Sequence, residues 1–355
     1  MPLRLQQLRA RFDTLGIDAF AVTFLPHLRY LSGFSGSSGL GIVTRRSAWL
    51  ITDGRYAEQV KSEVHNWKVI ISTAGLFEEL ERQNILRTGW RVGFDGNSLL
   101  YTQFKDLKRA MPSVKFLPKV DCIEQIAAVK EPKEIDAIKR AVSITDTVFT
   151  EILDLIKPGV TEIDIAAEIS YRQRRHGAEG DAFETIVASG ERSALPHGRA
   201  SAKKLKRGEL VTLDFGCVVD GYHSDMTRTV ALGAPSAEAR TIYEVVAVAQ
   251  RKAIEAAKSG MAAKALDAVA RDHIKEHGYD KYYRHSLGHG LGLQIHEPPR
   301  ISVLSKATLV TGNVITIEPG VYVPRFGGVR IEDDVVITNG SCEVLNRSPK
   351  ELLIL

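Results

Sequence analysis

Apolar positions in the first third of the chain alternate between two spacings. Residues 3–15 carry them at helical spacing up to Gly16, which predicts a short amphipathic helix. IDAFAVTF (17–24) then reads as a strand and LPHLRYLSGF (25–34) as a turn and helix. GLGIVTRRSAWLITD (39–53) has the pattern of a hairpin. RYAEQVKSEV is helical, WKVIIST a strand, GLFEELERQNIL a helix and RVGFD a strand. Strands alternating with helices predict an α/β domain over residues 1–125. From residue 126 the pattern changes. A helix runs from about Lys133 to Ile156 and stops at Lys157-Pro158-Gly159, and Thr161 caps a second through about His176, with Asp164 where a capping box would have Glu or Gln. ETIVASG (184–190) and ELVTLDFG (209–216) are strands, and residues 235–260 and 264–278 are helical. Residues 126–355 therefore read as an α+β domain. The charged stretch VKEPKEID (129–136) places the joint between about 120 and 133.

A repeat lies inside the second domain. GELVTLDFG (208–216) aligns with GNVITIEPG (312–320), so Asp214 corresponds to Glu318. Each segment leads into a hairpin with a second acid: Asp225 in DGYHSDMTRTV and Glu332 in GGVRIEDDVVI. Thr212 and Asp214 share one strand face, as do Thr316 and Glu318, while Leu213, Phe215, Ile315 and Ile317 point to the core. A lone carboxylate in an apolar strand is too costly to leave unpaired. Such an acid must meet a cation, donate as a neutral acid or bind a metal; four in matched pairs suggest two divalent cations, which remove their mutual repulsion. RHSLGHGLGLQIHE (284–297) adds His285, His289 and His296, with glycines that let backbone approach closely. His296-Glu297 is followed by two prolines, so this is not the helical HExxH site of zinc proteases.

Composition narrows the remaining classes. The 355 residues suit two domains, and 47 basic against 43 acidic residues give a net charge of +4, too balanced for a general nucleic-acid or anionic-membrane binder. Three scattered cysteines do not make a disulfide framework. The N-terminal segment lacks a signal-peptide pattern and no run reaches the ~18 apolar residues of a membrane span, so the expected location is cytoplasmic. The glycine-rich GFSGSSGLG (33–41) leads into a strand and lacks the Gly-Lys-Ser/Thr ending, which argues against a phosphate loop. Bland readings suit the basic run Lys203, Lys204, Lys206 and Arg207 (a solvated loop), His273 and His277 (solvent), Cys217 (a buried structural thiol), Asp333 (pointing away from the acid face) and Asp334 (on that face but past the cluster).

The ordered motifs LPHGRAS, VTLDFG, GYHSDMTRTV, HSLGHGLGLQIHE, TIEPGVY and GGVRIEDD, with YLSGFSGSSG and LITDGRY ahead of them, resemble the pita-bread metallopeptidases, in particular the Xaa-Pro peptidases aminopeptidase P and prolidase. Methionine aminopeptidases share the metal set but usually lack the N-terminal domain; creatinases share the fold but lose the ligands. The resemblance implies a creatinase-like α/β N-terminal domain, shaping the substrate mouth and mediating a homodimer, and a pita-bread catalytic domain. It implies two divalent metals, manganese by resemblance with cobalt or zinc compatible, held by Asp214, Asp225, His289, Glu318 and Glu332. Asp225 and Glu332 would bridge the pair. It implies attack by a bridging hydroxide on the carbonyl before proline, Glu318 as proton shuttle, His296 at the oxyanion, His197 and His285 in the pocket, and Arg330 orienting the carboxylates. Tyr322, four residues after Glu318, is a candidate for closing the pocket. The expected activity is an Xaa-Pro aminopeptidase acting on peptides with proline at the second position. The alternative is an Xaa-Pro dipeptidase, in which a block, from Arg55 or a second subunit, captures the proline carboxylate. A non-catalytic peptide-binding module on the same fold predicts eroded ligands, and none is eroded.

Overall fold

The computed structural model describes residues 2–355. Contacts divide them into two compact units, one up to Ala127 and the other Ala128–Leu355.

In the N-terminal unit, strands β1 (Ala19–Val22), β2 (Leu40–Thr44), β3 (Ala48–Asp53), β4 (Lys68–Ser72), β5 (Arg91–Asp95) and β6 (Lys115–Lys119) form one sheet in the order β4-β3-β2-β1-β5-β6. The hairpin β2–β3 is antiparallel; β1–β5, β3–β4 and β5–β6 are parallel. Helices α1 (Pro2–Ala10), α2 (Phe12–Leu15), α3 (Leu25–Ser32), α4 (Gln59–Glu63), α5 (Leu76–Arg82), α6 (Tyr101–Ala110) and α7 (Glu124–Ala127) complete the unit. Leu80 and Leu107 pack with Ala19, Leu40, Ile42 and Ile51 in a dry core. Fully burying each leucine or isoleucine is worth ~1.5–3 kcal/mol before entropy is counted. The single helix expected over 3–15 is broken at Arg11, whose amide bonds to Leu8 O, three residues back, tightening the turn; Gly16 ends α2 at φ 64°.

The C-terminal unit contains helices α8 (Pro132–Ile152), α9 (Glu162–Arg175), α10 (Ala237–Ala256) and α11 (Ala263–Glu276). Its strands are β7 (Gly180–Asp181), β8 (Ile186–Ser189), β9 (Glu209–Phe215), β10 (Cys217–Val219), β11 (Tyr222–His223), β12 (Met226–Leu232), β13 (Gly288–Gly290), β14 (Glu297–Ile301), β15 (Val314–Ile317), β16 (Gly320–Val323), β17 (Gly327–Arg330), β18 (Asp333–Ile337) and β19 (Cys342–Val344). The sheet β12-β9-β8 serves one half and β14-β13-β15-β18-β19 the other. Helices α8 and α9 bury Val148, Phe149 and Ile165 against Leu213, Phe215 and Val230. Helices α10 and α11 bury Val246, Leu266 and Ala270 against Ile315, Ile317 and Val335. The two halves meet where Glu332 N donates to Thr227 O (3.1 Å) and Arg330 N to Thr229 Oγ1 (3.2 Å). Duplicated sequence thus becomes duplicated structure, with the acid-bearing strands innermost.

Local chemistry explains the boundaries. Helix α8 ends at Ile152 and a 3₁₀ turn (Leu153–Leu155) follows, because Pro158 cannot continue it. Thr161 Oγ1 accepts from Asp164 N (3.1 Å) while Asp164 Oδ2 accepts from Thr161 N (3.1 Å), so aspartate completes a capping box despite its shorter side chain. Two bland expectations change. His273 is buried, with Lys252 Nζ 3.0 Å from its Nδ1, because its face of α11 turns toward α10. Lys203 leaves the solvated run to bond Ser189 Oγ and Glu209 Oε2, each at 2.7 Å. Among the described residues, no helix is long and apolar enough to cross a membrane. Replacing the α9 cap, Thr161→Ala, is expected to cost about 1 kcal/mol, read as a lower urea midpoint with an unchanged slope.

Candidate metal centre

Strand pairing brings the acids together. In the β9–β12 ladder Asp214 lies across from Thr227 and Phe215 across from Met226, which places Asp225 one step beyond on the Asp214 face. The close approach depends on Gly216, where a methyl group would lie 1.8 Å from Ser224 O. In the other half β15 pairs with β18, Thr316 across from Asp334, so Glu318 and Glu332 follow on the same face. Gly288 lets β13 press onto Thr316, and His289 N donates to Thr316 Oγ1 (3.1 Å).

Asp225, His289 and Glu332 each offer a ligand atom within 4.8 Å of the others. His289 Nε2 stands 3.7 Å from Asp225 Oδ2 and 3.6 Å from Glu318 Oε1. Asp214 joins through Arg330, whose Nη2 donates to its Oδ2 (2.5 Å). Arg330 is buried. Its Nε donates to Thr227 Oγ1 (3.0 Å), Thr227 in turn to Glu332 Oε2 (2.6 Å), and its Nη1 to Tyr322 OH (2.7 Å). One guanidinium therefore orients acids of both halves, which a lysine could not do.

The residues present fit divalent cations. Oδ1 of Asp214 and of Asp225 is buried with no hydrogen-bond partner among the described residues. His289 Nδ1 faces Gly290 O (3.1 Å), which can only accept, so Nδ1 carries the proton and the Nε2 lone pair faces carboxylate oxygens. A ligand lone pair and several carboxylate oxygens converge here, an arrangement that divalent positive charge would satisfy. Burial, then Glu332 and Asp214, raise Asp225 well above the ordinary carboxylate range, and burial, then Glu332, does the same to Glu318. Burial and Asp214 push Glu332 up to about 8. Burial lowers His289 to about 4, keeping it a neutral ligand near neutral pH.

The cluster opens into a cavity of about 430 Å³ lined in part by His197, His285, His289, His296, Arg300 and Glu318. Burial, then Arg330, lowers His285 to about 3. Its Nδ1 lies 2.8 Å from Ser286 O and is the donor, so Tyr322 OH donates to its Nε2 (2.9 Å). Tyr322 is thereby fixed between His285 and Arg330. The His296 ring sits edge-on to His289 at 4.3 Å, more open to solvent, with burial lowering its pKa. His197 lies exposed on the cavity wall. The nine residues expected as metal ligands or catalytic groups thus lie in the cluster or around its cavity. Sequence reasoning missed Thr227 and Arg300, although Thr227 shares the strand parity of Asp225. It also placed Asp334 past the cluster, whereas Asp334 Oδ2 accepts from Asp225 N (2.9 Å). Asp333 does point away, to Arg228 (2.7 Å), Gln250 (2.8 Å) and Lys350 (2.6 Å).

Residues 136–339 match metallopeptidase family M24, and residues 4–129 match the creatinase/prolidase N-terminal domain. The chain belongs to the M24 metallopeptidases. It is 40% identical to the Xaa-Pro dipeptidase of Pyrococcus furiosus, over 99% of this chain and all of that protein. A solved Xaa-Pro dipeptidase from Bacillus anthracis superposes with a TM-score of 0.96 at 39% identity, covering 99% of each chain. A solved X-Pro aminopeptidase from Thermotoga maritima gives 0.90 at 38% identity, covering 97% of this chain and all of that one. The C-terminal unit of this M24 metallopeptidase is accordingly a pita-bread domain and the protein a metal-dependent peptidase. Family membership implies divalent metals, in agreement with the orphaned oxygens.

Chelation should expose the charge conflict. A carboxyl raised on folding stabilises the fold at low pH and loses that contribution as pH climbs through its folded value. For Glu332 the window runs from its ordinary 4.5 to about 8. The chelated protein should therefore lose thermal stability steadily across that window relative to the metal-loaded protein, measured as paired melting temperatures. Parallel curves would contradict this account.

Proposed function

We propose that this M24 peptidase is an Xaa-Pro dipeptidase, hydrolysing the bond between an N-terminal residue and a following C-terminal proline. The observation that carries it is the cavity on the cluster, which sets the Arg300 guanidinium on the same wall system as His296 and Glu318. A dipeptide has a carboxylate on its proline, and a guanidinium is a suitable partner for it. Arg55, the earlier candidate, is engaged by Asp53 through two bonds of 2.8 and 2.9 Å. The end-to-end likeness to proteins named Xaa-Pro dipeptidase supports this order over the aminopeptidase reading with which the sequence began. The Thermotoga maritima likeness keeps that reading as the second.

Asp214, Asp225, His289, Glu318 and Glu332 would hold the ions, with manganese proposed and cobalt or zinc as comparisons. Bound there, divalent ions supply the positive charge that polarises the scissile carbonyl and acidifies water. The side chains do the rest. Glu318, on the cavity wall, accepts the proton of the attacking water and delivers it to the proline nitrogen. That nitrogen carries no hydrogen in an Xaa-Pro bond and leaves as a secondary amine only once protonated. His296 donates to the carbonyl oxygen as charge develops on it. Arg330, steadied by Tyr322 and through it by His285, holds Asp214 and reaches Glu332 through Thr227, and His197 borders the substrate. The N-terminal unit is assigned substrate selection and homodimer formation by the same reading.

Glu318→Gln should lower kcat by about 10²–10⁴-fold, because it removes the proton carrier. On the wild-type enzyme, an Xaa-Pro dipeptide should be cleaved and the matching Xaa-Pro-Yaa tripeptide should not. Arg300→Met should raise KM for the dipeptide by about 10–100-fold, the value of one charged hydrogen bond. Efficient tripeptide cleavage by the wild type, with dipeptide KM unchanged in the variant, would restore the aminopeptidase reading.

A further inference from the structure

The chain between β13 and β14 carries His296 through a run of bends with no strand or helix of its own. It is held from several sides. Leu291 N donates to Val314 O (3.2 Å), His223 N to Gly292 O (2.9 Å) and Gly292 N to Gln294 O (3.0 Å). The residue after His296 supplies the last restraint. Glu297 Oε1 accepts from Gln294 N (3.0 Å), and its Oε2 meets Lys130 Nζ at 2.8 Å. This ion pair is dry, with side chains 1% and 6% exposed. Gly292 makes room for it, since a methyl group there would lie 2.6 Å from Glu297 Oε2.

Lys130 is itself anchored. Its N donates to Gly312 O (2.8 Å), Val129 bridges to Asn313, and Asn313 Nδ2 donates to Ala128 O (2.8 Å). Gly312 and Asn313 lead directly into β15, the strand that delivers Glu318. The ammonium is therefore presented from the frame that fixes the acid, toward the turn that carries the histidine. A buried ion pair adds little net stability over a well-packed apolar pair. What it adds here is direction, because one oxygen of Glu297 fixes the turn amide and the other is fixed by Lys130.

We propose that Lys130 is a positioning residue of the peptidase: through Glu297 it holds the 291–297 turn so that His296 faces the reacting carbonyl. The inference rests on the role given to His296 above. The test replaces the pair by apolar groups, Lys130→Met with Glu297→Leu, leaving no buried charge to unfold the protein. Lys130→Met alone serves as the second variant. In the metal-loaded enzyme the replacement should lower kcat on an Xaa-Pro dipeptide by about 10–100-fold, since misplacing a reacting group by about 1 Å can cost ~10²-fold. The melting temperature should stay level or rise, and amide hydrogen exchange should quicken across 291–297. In a His296→Ala background the same replacement should change kcat less than about threefold, since residues acting as one unit are not additive. Wild-type kcat in both Lys130 variants, or an equal loss in the two backgrounds, would overturn the proposal. Wild-type kcat in His296→Ala alone would overturn the role of His296 itself, a separate result.

Discussion

Carboxylates gathered in a water-poor interior repel one another, and each loses the solvation that would let it stay charged. This single conflict organises the catalytic unit. Asp225, Glu318 and Glu332 are held above the ordinary carboxylate range by burial and by neighbouring acids, and Oδ1 of Asp214 and of Asp225 has no hydrogen-bond partner among the described residues. A fold evolved for stability alone would put leucine there. The acids stay because cations complete them, and the surrounding polar groups only partly substitute: Arg330 supplies one positive charge and Thr227 one hydroxyl.

The architecture follows from that demand. Each half of the unit offers one acid near the end of a strand and one in the adjoining hairpin, and each half covers the back of its sheet with a helix pair. Burying Leu213, Phe215, Ile315 and Ile317 on the helix side forces Asp214 and Glu318 to the other face, because side chains alternate along a strand. The helices thus aim the acids without touching them. Glycines at 216 and 288 then let the neighbouring chain come closer than any side chain would permit.

Around this anionic centre the cavity is lined by the imidazoles of His285 and His289 and by the Arg300 guanidinium. Burial keeps His285 and His289 unprotonated, which preserves a ligand lone pair on one and a hydrogen-bond acceptor for Tyr322 on the other. On the dipeptidase reading proposed above, Arg300 would meet the carboxylate of a short substrate whose peptide bond lies at the acids. Dipeptidase and aminopeptidase readings differ only in what meets that far end, so the choice turns on one wall of the cavity and not on the metal cluster.

Much of this was legible in the residues. Alternation in VTLDFG and VITIEPG determined which acids leave the core, the repeat determined that they come in matched pairs, and the clustered histidines of 284–297 pointed to the same site. The capping box at Thr161 and the stop at Pro158 were equally local, since both depend on backbone groups within four residues. Other features were settled only by contacts between distant segments. Resemblance gave Arg330 the carboxylates to orient, but only the fold brings it to Asp214, 116 residues away, and Asp334 gains its role only when the Asp225 amide reaches it. His273 sits on a helix polar enough to suggest solvent, yet packing against α10 buries it. Strand and helix periods are local and survive in sequence; which faces touch across the core depends on tertiary packing, and that is where the hydrogen bonds of the site are decided.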